Sequence, residues 1–168
     1  MRRAATFVEG FTVTALYSSP RRRALQSAQI LVPHLTHRID ERLSEIDFGE
    51  LEGLTYQDAA IRYPDVYQAW MQRPDAICFP GGESFARMQS RVTAAVTDLL
   101  RMHAGDSITV VAHGGVNRIV LGQALGLATH QLFELRQDYG AINLVEYCDG
   151  TPAVRLLNTT PAQRVQRC

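Results

Sequence analysis

Cysteine, net charge and long apolar runs are all scarce in this 168-residue sequence, and each scarcity argues against a class of protein. Cys78, Cys148 and Cys168 are an odd number without metal-ligand spacing, which argues against a disulfide framework and a zinc site. The 17 basic and 17 acidic side chains cancel, so no overall field attracts nucleic acid or an anionic membrane. No apolar run approaches the roughly 20 residues that span a bilayer, and residues 1–10 lack the apolar core of a signal peptide. We therefore expect a cytoplasmic protein with no metal, nucleic acid or membrane among its partners.

The sequence does contain enough apolar residues, 46%, to bury one continuous core. Short β-prone runs alternate with amphipathic helices, which predicts a single α/β domain over residues 1–168. Ser107–Ala112 is apolar on both faces, as in a central parallel strand, and residues 40–53 have no period and read as an ordered loop. Strands are expected at 13–17, 107–112, 141–147 and 153–157, helices at about 21–33, 56–63, 66–71, 85–104 and 116–125, and a frayed tail at 159–168.

Three arginines, Arg21 to Arg23, occupy the first turn of the helix after the first predicted strand. Positive side chains are unfavourable at a helix N-terminus by roughly 0.3 to 1 kcal/mol each unless an anion lies there. A bound phosphate would offset that cost. Three solvated arginines explain the same segment equally well.

His113, followed by Gly114 and Gly115, comes directly after the buried strand 107–112. In open α/β sheets the ligand lies beyond the carboxyl ends of the strands, so His113 and the arginines share one edge. Asn117 and Arg118 add donors near the start of the next helix. The alternative is a hydrogen-bonded structural histidine.

Glu45 lies in an acidic loop of a protein that otherwise favours an anion. A carboxyl group beside a phosphate is tolerated when it is protonated, and a protonated carboxyl is what a departing alkoxide needs. The alternative is a solvated acidic surface. Glu83, directly before the predicted N-cap Ser84, instead suits the positive end of the following helix.

Four motifs in order resemble the histidine phosphatase superfamily, also called the phosphoglycerate mutase-like family. They are Ser18-Ser19-Pro20 with Arg23-Ala24, Leu43-x-Glu45-x-x-x-Gly49-x-Leu51-Glu52-Gly53, Pro80-Gly81-Gly82-Glu83-Ser84, and Val111-Ala112-His113-Gly114-Gly115. Arg21 stands where the family usually has leucine. Any one motif is weak, but four in the right order are specific.

The resemblance implies a three-layer α/β/α fold with a mostly parallel sheet, and a phosphohistidine mechanism without metal or cofactor. It implies that Arg23, His113 and Gly114 bind the phosphoryl group, that Glu45 and His113 are catalytic residues, and that Glu45 is the general acid. Glu83, Ser84, Asn117 and Arg118 would shape the substrate pocket. The partner would be a small phosphorylated metabolite, and a homodimer is compatible with the family.

The sequence departs from the family at the nucleophile, which belongs to an Arg-His-Gly motif after the first strand. Of the five histidines only His113 is followed by glycine, and it belongs to the second motif. We therefore expect no turnover from this chain, and a coding sequence whose start is misplaced or truncated. The missing strand is central in the family, so its neighbours should leave unpaired backbone groups.

The short segment from Gly53 to Gly82 favours a phosphatase over a phosphoglycerate mutase, which resembles this chain but carries a longer insertion there. The motifs look like those of α-ribazole phosphatases of cobalamin synthesis and of broad-specificity phosphatases. A non-catalytic phospho-ligand module is the main alternative, and a Rossmann-like nucleotide binder is weaker because no Gly-x-Gly-x-x-Gly follows a strand. Tyr56, Tyr67, Trp70 and Met71 are candidates for lining a pocket, or are ordinary helix-face residues.

Overall fold

The computed structural model describes residues 1–160 as two β-sheets packed among helices. Strands β1 (Ala15–Ser18), β2 (His37–Ile39) and β3 (Ile108–Val111) form a parallel sheet in the order β2-β1-β3. Strands β4 (Ile142–Cys148) and β5 (Thr151–Thr159) form an antiparallel hairpin. The α-helices are α1 (Arg2–Val8), α2 (Arg22–Leu31), α3 (Tyr56–Arg62), α4 (Pro64–Gln72), α5 (Phe85–Met102) and α6 (Gly114–Leu125), and Glu41–Leu43, Gly49–Leu51 and Thr129–Glu134 are 3-10 turns.

Strand β1 is buried on both faces, as expected of a sheet covered by helices. Because side chains alternate along a strand, Leu16 joins one apolar cluster with Ala24 and Ala28 of α2. Tyr17 joins the other, larger cluster with Val92 of α5. Helices thus lie on both faces of the sheet, and the predicted α/β/α class is confirmed.

Most predicted elements are present, with bounds that differ from the prediction by at most two residues. Ser84 caps α5 by accepting a hydrogen bond from Arg87 N, and Pro64 opens α4, where a missing N–H costs nothing. The sequence does not predict helix α1, whose 7 residues have no capping side chain to mark the start.

Strand β3 differs from the prediction, because it ends the parallel sheet instead of lying inside it. Val110 is 40% exposed there, whereas the neighbouring strand β1 is fully buried. Within residues 1–160 β4 pairs with β5 alone, so one edge of β3 has no strand beside it. Unpaired backbone groups beside this strand are what the sequence analysis expects.

Over residues 1–160, no helix is long and apolar enough to cross a membrane. The same residues contain no group of three or more His, Cys, Asp or Glu side chains placed to hold a metal ion. Strand β5 extends to Thr159, the first residue of the tail that we predict to fray. The rest of that tail from residue 161 onward, with Cys168, lies outside the described residues.

Candidate active site

The carboxyl ends of β1 and β3 lie side by side, because the strands are parallel and Ser18 pairs with Val111. The loops that follow bring Ser19 and His113 together, with Ser19 Oγ 2.7 Å from His113 Nε2. Arg23, in the first turn of α2, places its Nε 3.2 Å from His113 Nδ1. The arginine and the histidine that the sequence assigned to one sheet edge are therefore in contact.

These contacts determine the protonation of the His113 ring. An arginine N–H can only donate, so Nδ1 accepts from Arg23 and the ring proton lies on Nε2, which donates to Ser19 Oγ. Burial, and then the positive charges of Arg23, Arg21 and Arg91, lower the pKa of His113 to about 4. His113 is consequently neutral at pH 7, and a bound anion would favour its charged form.

Glu45 reaches the same place from the acidic loop. Its Oε2 accepts a hydrogen bond from Gly115 N at 3.1 Å, and its Oε1 accepts one from Ile46 N at 3.0 Å. Gly115 lies two residues after His113 in the first turn of α6, where a carboxylate is favoured by the helix dipole. A methyl group on Gly115 would overlap Glu45 Oε1, so this glycine makes room for the acid.

The acidic loop is fixed by backbone contact with the loop that precedes α5. Glu50 N donates to Pro80 O and Glu83 N donates to Asp47 O, both at 2.9 Å. Gly49 has a φ of +53°, and a Cβ there would overlap Pro80 O. Only glycine permits both the conformation and the approach, which explains why two of the four motifs carry glycine where they meet.

Glu83 and Ser84, two of the residues predicted to shape the pocket, are engaged at the start of α5. Glu83 is 8% exposed and pairs with Arg91 through both carboxylate oxygens at 2.7 Å. Ser84 Oγ accepts from Arg87 N at 3.2 Å. Glu83 connects to the acid through Arg91, which also donates to the Glu45 carbonyl oxygen.

Asn117 and Arg118, the other predicted pocket residues, contact the chain that follows α6. Asn117 Nδ2 donates to Gln137 Oε1 at 3.3 Å, and Arg118 Nε donates to Leu135 O at 2.9 Å. Gly114 is the first residue of α6 and directly follows His113, the residue that contacts Arg23. A pocket role for Asn117 and Arg118 stays a prediction.

Three residues to which the sequence analysis assigns no role in the site complete the arrangement. Ser19 holds the His113 ring, Gly115 holds the Glu45 carboxylate, and Arg91 joins two loops. Arg91 carried a usable signal. It lies three residues after Met88 and four before Ala95, both buried, so it places a charge at the margin of the apolar stripe of α5.

Sequence comparison agrees with this geometry. The model of the histidine phosphatase superfamily (branch 1) matches residues 1–160. A bifunctional protein of Mycobacterium tuberculosis is 34% identical over 151 residues, which cover 88% of this chain and 41% of that protein. This chain thus spans about two fifths of the length of that relative.

Two solved structures share the fold. The α-ribazole phosphatase of Shigella flexneri has a TM-score of 0.86 at 21% identity, covering 94% of this chain and 79% of its own. A mycobacterial glucosyl-3-phosphoglycerate phosphatase complexed with VO3 has a TM-score of 0.82 at 25% identity, covering 95% and 82%. The fold, the strand-end cluster and the match over residues 1–160 agree, and this chain belongs to the histidine phosphatase superfamily (branch 1).

Proposed function

We propose that this chain supplies the phosphate clamp and the general acid of a phosphomonoester hydrolase that works through a phosphohistidine. The substrate is a small phosphorylated metabolite. The 168 residues contain no Arg-His-Gly motif, so on their own they have no turnover. The observation that carries the proposal is the convergence of Arg23, His113 and Glu45, from three separate segments, at the ends of β1 and β3.

Each of the three side chains has a role that its contacts support. Arg23 donates a hydrogen bond to His113, and phosphoryl oxygens between the two side chains would replace that bond with charge-assisted ones. A histidine would attack phosphorus, and the P–O bond to the leaving group would break. Glu45, when protonated, would give its proton to that oxygen, and water would then release phosphate from the histidine.

The relatives support a class of substrate, small phosphorylated metabolites, and not a single compound. The named relatives include phosphatases of α-ribazole and of glucosyl-3-phosphoglycerate, which supports α-ribazole 5'-phosphate or a sugar phosphate as candidates. A role in cobalamin synthesis and a cytoplasmic location belong to the same proposal. The short connection between Gly53 and Gly82 supports a phosphatase over a mutase.

Aromatic residues beside the acidic loop support an apolar leaving group. Tyr56 and Trp70 stack with ring centroids 5.4 Å apart, and with Phe48 they line a cavity of about 250 Å³. Of the four residues predicted to line a pocket, Tyr56 and Trp70 line this cavity. Met71 is exposed and Tyr67 packs against the core.

The alternative function is a non-catalytic phospho-ligand module. The absence of the Arg-His-Gly motif from the 168 residues favours it. The two functions differ in turnover by this chain once a nucleophile is supplied, which only the hydrolase would show.

Thermal protection by an anion tests the clamp. Inorganic phosphate or vanadate should stabilise the chain by RT ln(1 + [L]/Kd), about 2.7 kcal/mol at a hundredfold excess over Kd. Arg23→Ala should lose this protection, whereas Arg22→Ala, on the exposed neighbour of Arg23, should keep it. No protection of a folded sample, or equal protection in Arg23→Ala, would contradict the proposal.

A further inference from the structure

All three nitrogen atoms of the Arg91 guanidinium are hydrogen-bonded to the two loops beside the site. Nε and Nη2 each donate to one carboxylate oxygen of Glu83 at 2.7 Å. Nη1 donates to Arg42 O at 2.7 Å and to Ser44 O at 2.8 Å, and Nη2 also donates to Glu45 O at 3.3 Å. The five N–H groups of an arginine thus meet five acceptors.

The acceptors divide by loop. Two are the carboxylate oxygens of Glu83, which neutralises the charge of Arg91, and the other three are the backbone carbonyl oxygens of Arg42, Ser44 and Glu45. The Arg91 side chain is 20% exposed and that of Glu83 is 10% exposed, so water competes little for these bonds. The backbone that leads into Glu45 is therefore held from α5.

Within residues 1–160, the Glu45 carboxylate accepts two hydrogen bonds, from Gly115 N and Ile46 N. The first holds the end of the side chain at α6 and the second comes from the adjacent residue, so neither holds the Glu45 backbone itself. The Arg91 fork does so, because it ties the Ser44 and Glu45 carbonyls to a helix that packs beside α6.

We propose that Arg91 is a positioning residue that sets the place of the Glu45 carboxyl against the start of α6, with Glu83 as the counter-ion that orients its guanidinium. The inference rests on the proposed function in one respect, which is the identity of Glu45 as the acid. It assigns Glu83 to the support of the acid, away from contact with the substrate.

Replacement of Arg91 by lysine distinguishes the positioning role from simple neutralisation of the Glu83 charge. A lysine at position 91 would still neutralise Glu83, but an ammonium has three donors and no planar fork. It cannot serve both carboxylate oxygens and three carbonyls. Arg91→Lys should therefore keep most of the stability that comes from the ion pair and lose the placement of Glu45.

Exchange of the Gly115 amide hydrogen, followed by NMR on the whole chain, reports that placement. Glu45→Ala removes the acceptor and measures the full loss of protection. Arg91→Lys and Arg91→Met should both speed exchange at Gly115 by about tenfold or more relative to the Ile119 amide of the same helix, as expected for a lost bond to a charged group. Arg87→Met, on an exposed arginine one turn earlier in α5, is the matched control and should change exchange less than about twofold.

Several outcomes would overturn the inference. One is Gly115 exchange in Arg91→Lys that stays within about twofold of the unmodified chain, a result that also decides the matter if Arg91→Met does not fold. Another is Gly115 exchange that Glu45→Ala leaves unchanged, since the carboxylate would then not be held there. If phosphate does not protect the unmodified chain against unfolding, but Gly115 exchange changes in the variants as predicted, the proposed function is contradicted and the role of Arg91 is not.

Discussion

The protonation of the His113 ring should change when a phosphoryl group binds. Without an anion, burial and three arginines keep it neutral, with Nδ1 facing Arg23. A phosphoryl group between them needs a hydrogen-bond donor at that atom, so binding should recruit a proton to the ring. The same group that stabilises a bound anion therefore makes the empty site sensitive to acid.

This sensitivity predicts a pH-dependent stability. The folded pKa of about 4 lies below the ordinary value of 6.5, so the unfolded chain binds the extra proton between these values and the folded chain does not. His113 should therefore lower the free energy of unfolding by about 2 kcal/mol between pH 7.5 and pH 5. Urea unfolding at the two pH values measures the change.

His113→Gln is the control, because glutamine has both a donor and an acceptor and no charge in this range. Its pH dependence should be smaller by about 2 kcal/mol over the same interval. Parallel pH dependences for the two proteins would show that the ring is not held neutral.

At the scale of the elements, local patterns predicted most of the helices and strands. The stripe of α5 with its Ser84 cap and the loop 40–53 follow from periodicity and turn chemistry. The ion pair between Glu83 and Arg91 does not follow from local patterns, because nothing near residue 83 in the sequence specifies that Arg91 lies against the acidic loop. Likewise the sequence predicts a central position for β3 where the structure has an edge strand, because an apolar strand has the same composition whether or not a neighbour is present.

The approach of the acidic loop to the loop before α5 yields a prediction at the same scale. Gly49→Ala should destabilise the chain by about 2 kcal/mol or more beyond Gly53→Ala, because overlap with Pro80 O adds to the cost of a positive φ. Gly53 is a matched control, with a φ of +78° and nothing within 4 Å of a Cβ placed there. Chemical denaturation of the two variants gives the comparison, and equal losses would mean that the loops separate easily.

At the scale of the whole molecule, the main irregularity among residues 1–160 is the edge of β3 that has no strand beside it. Ile108 to Val111 are β-branched, without charge or proline, and such an edge favours pairing with another chain. Val110→Lys should reduce concentration-dependent self-association, whereas Val110→Thr, which stays β-branched and uncharged, should not. Light scattering over a concentration series distinguishes them, and association that is indifferent to both changes would place the contact elsewhere.

The sequence predicts which residues form the candidate site better than it predicts the contacts between them. Arg23, Glu45 and His113 follow from strand ends and motifs, and the structure brings them together. Ser19, Gly115 and Arg91 act through contacts between segments far apart in the chain, which spacing does not encode.

The central proposal is that Arg23, His113 and Glu45 form the anion-binding and acid half of a phosphatase site, and that the 168 residues do not supply its nucleophile. Hydrolysis of 4-nitrophenyl phosphate by the purified chain, in a sample that phosphate protects against unfolding, tests it most directly. We predict release of nitrophenol at the background rate and no phosphohistidine in the protein. Turnover accompanied by a phosphohistidine trapped at any of the five histidines would contradict the account.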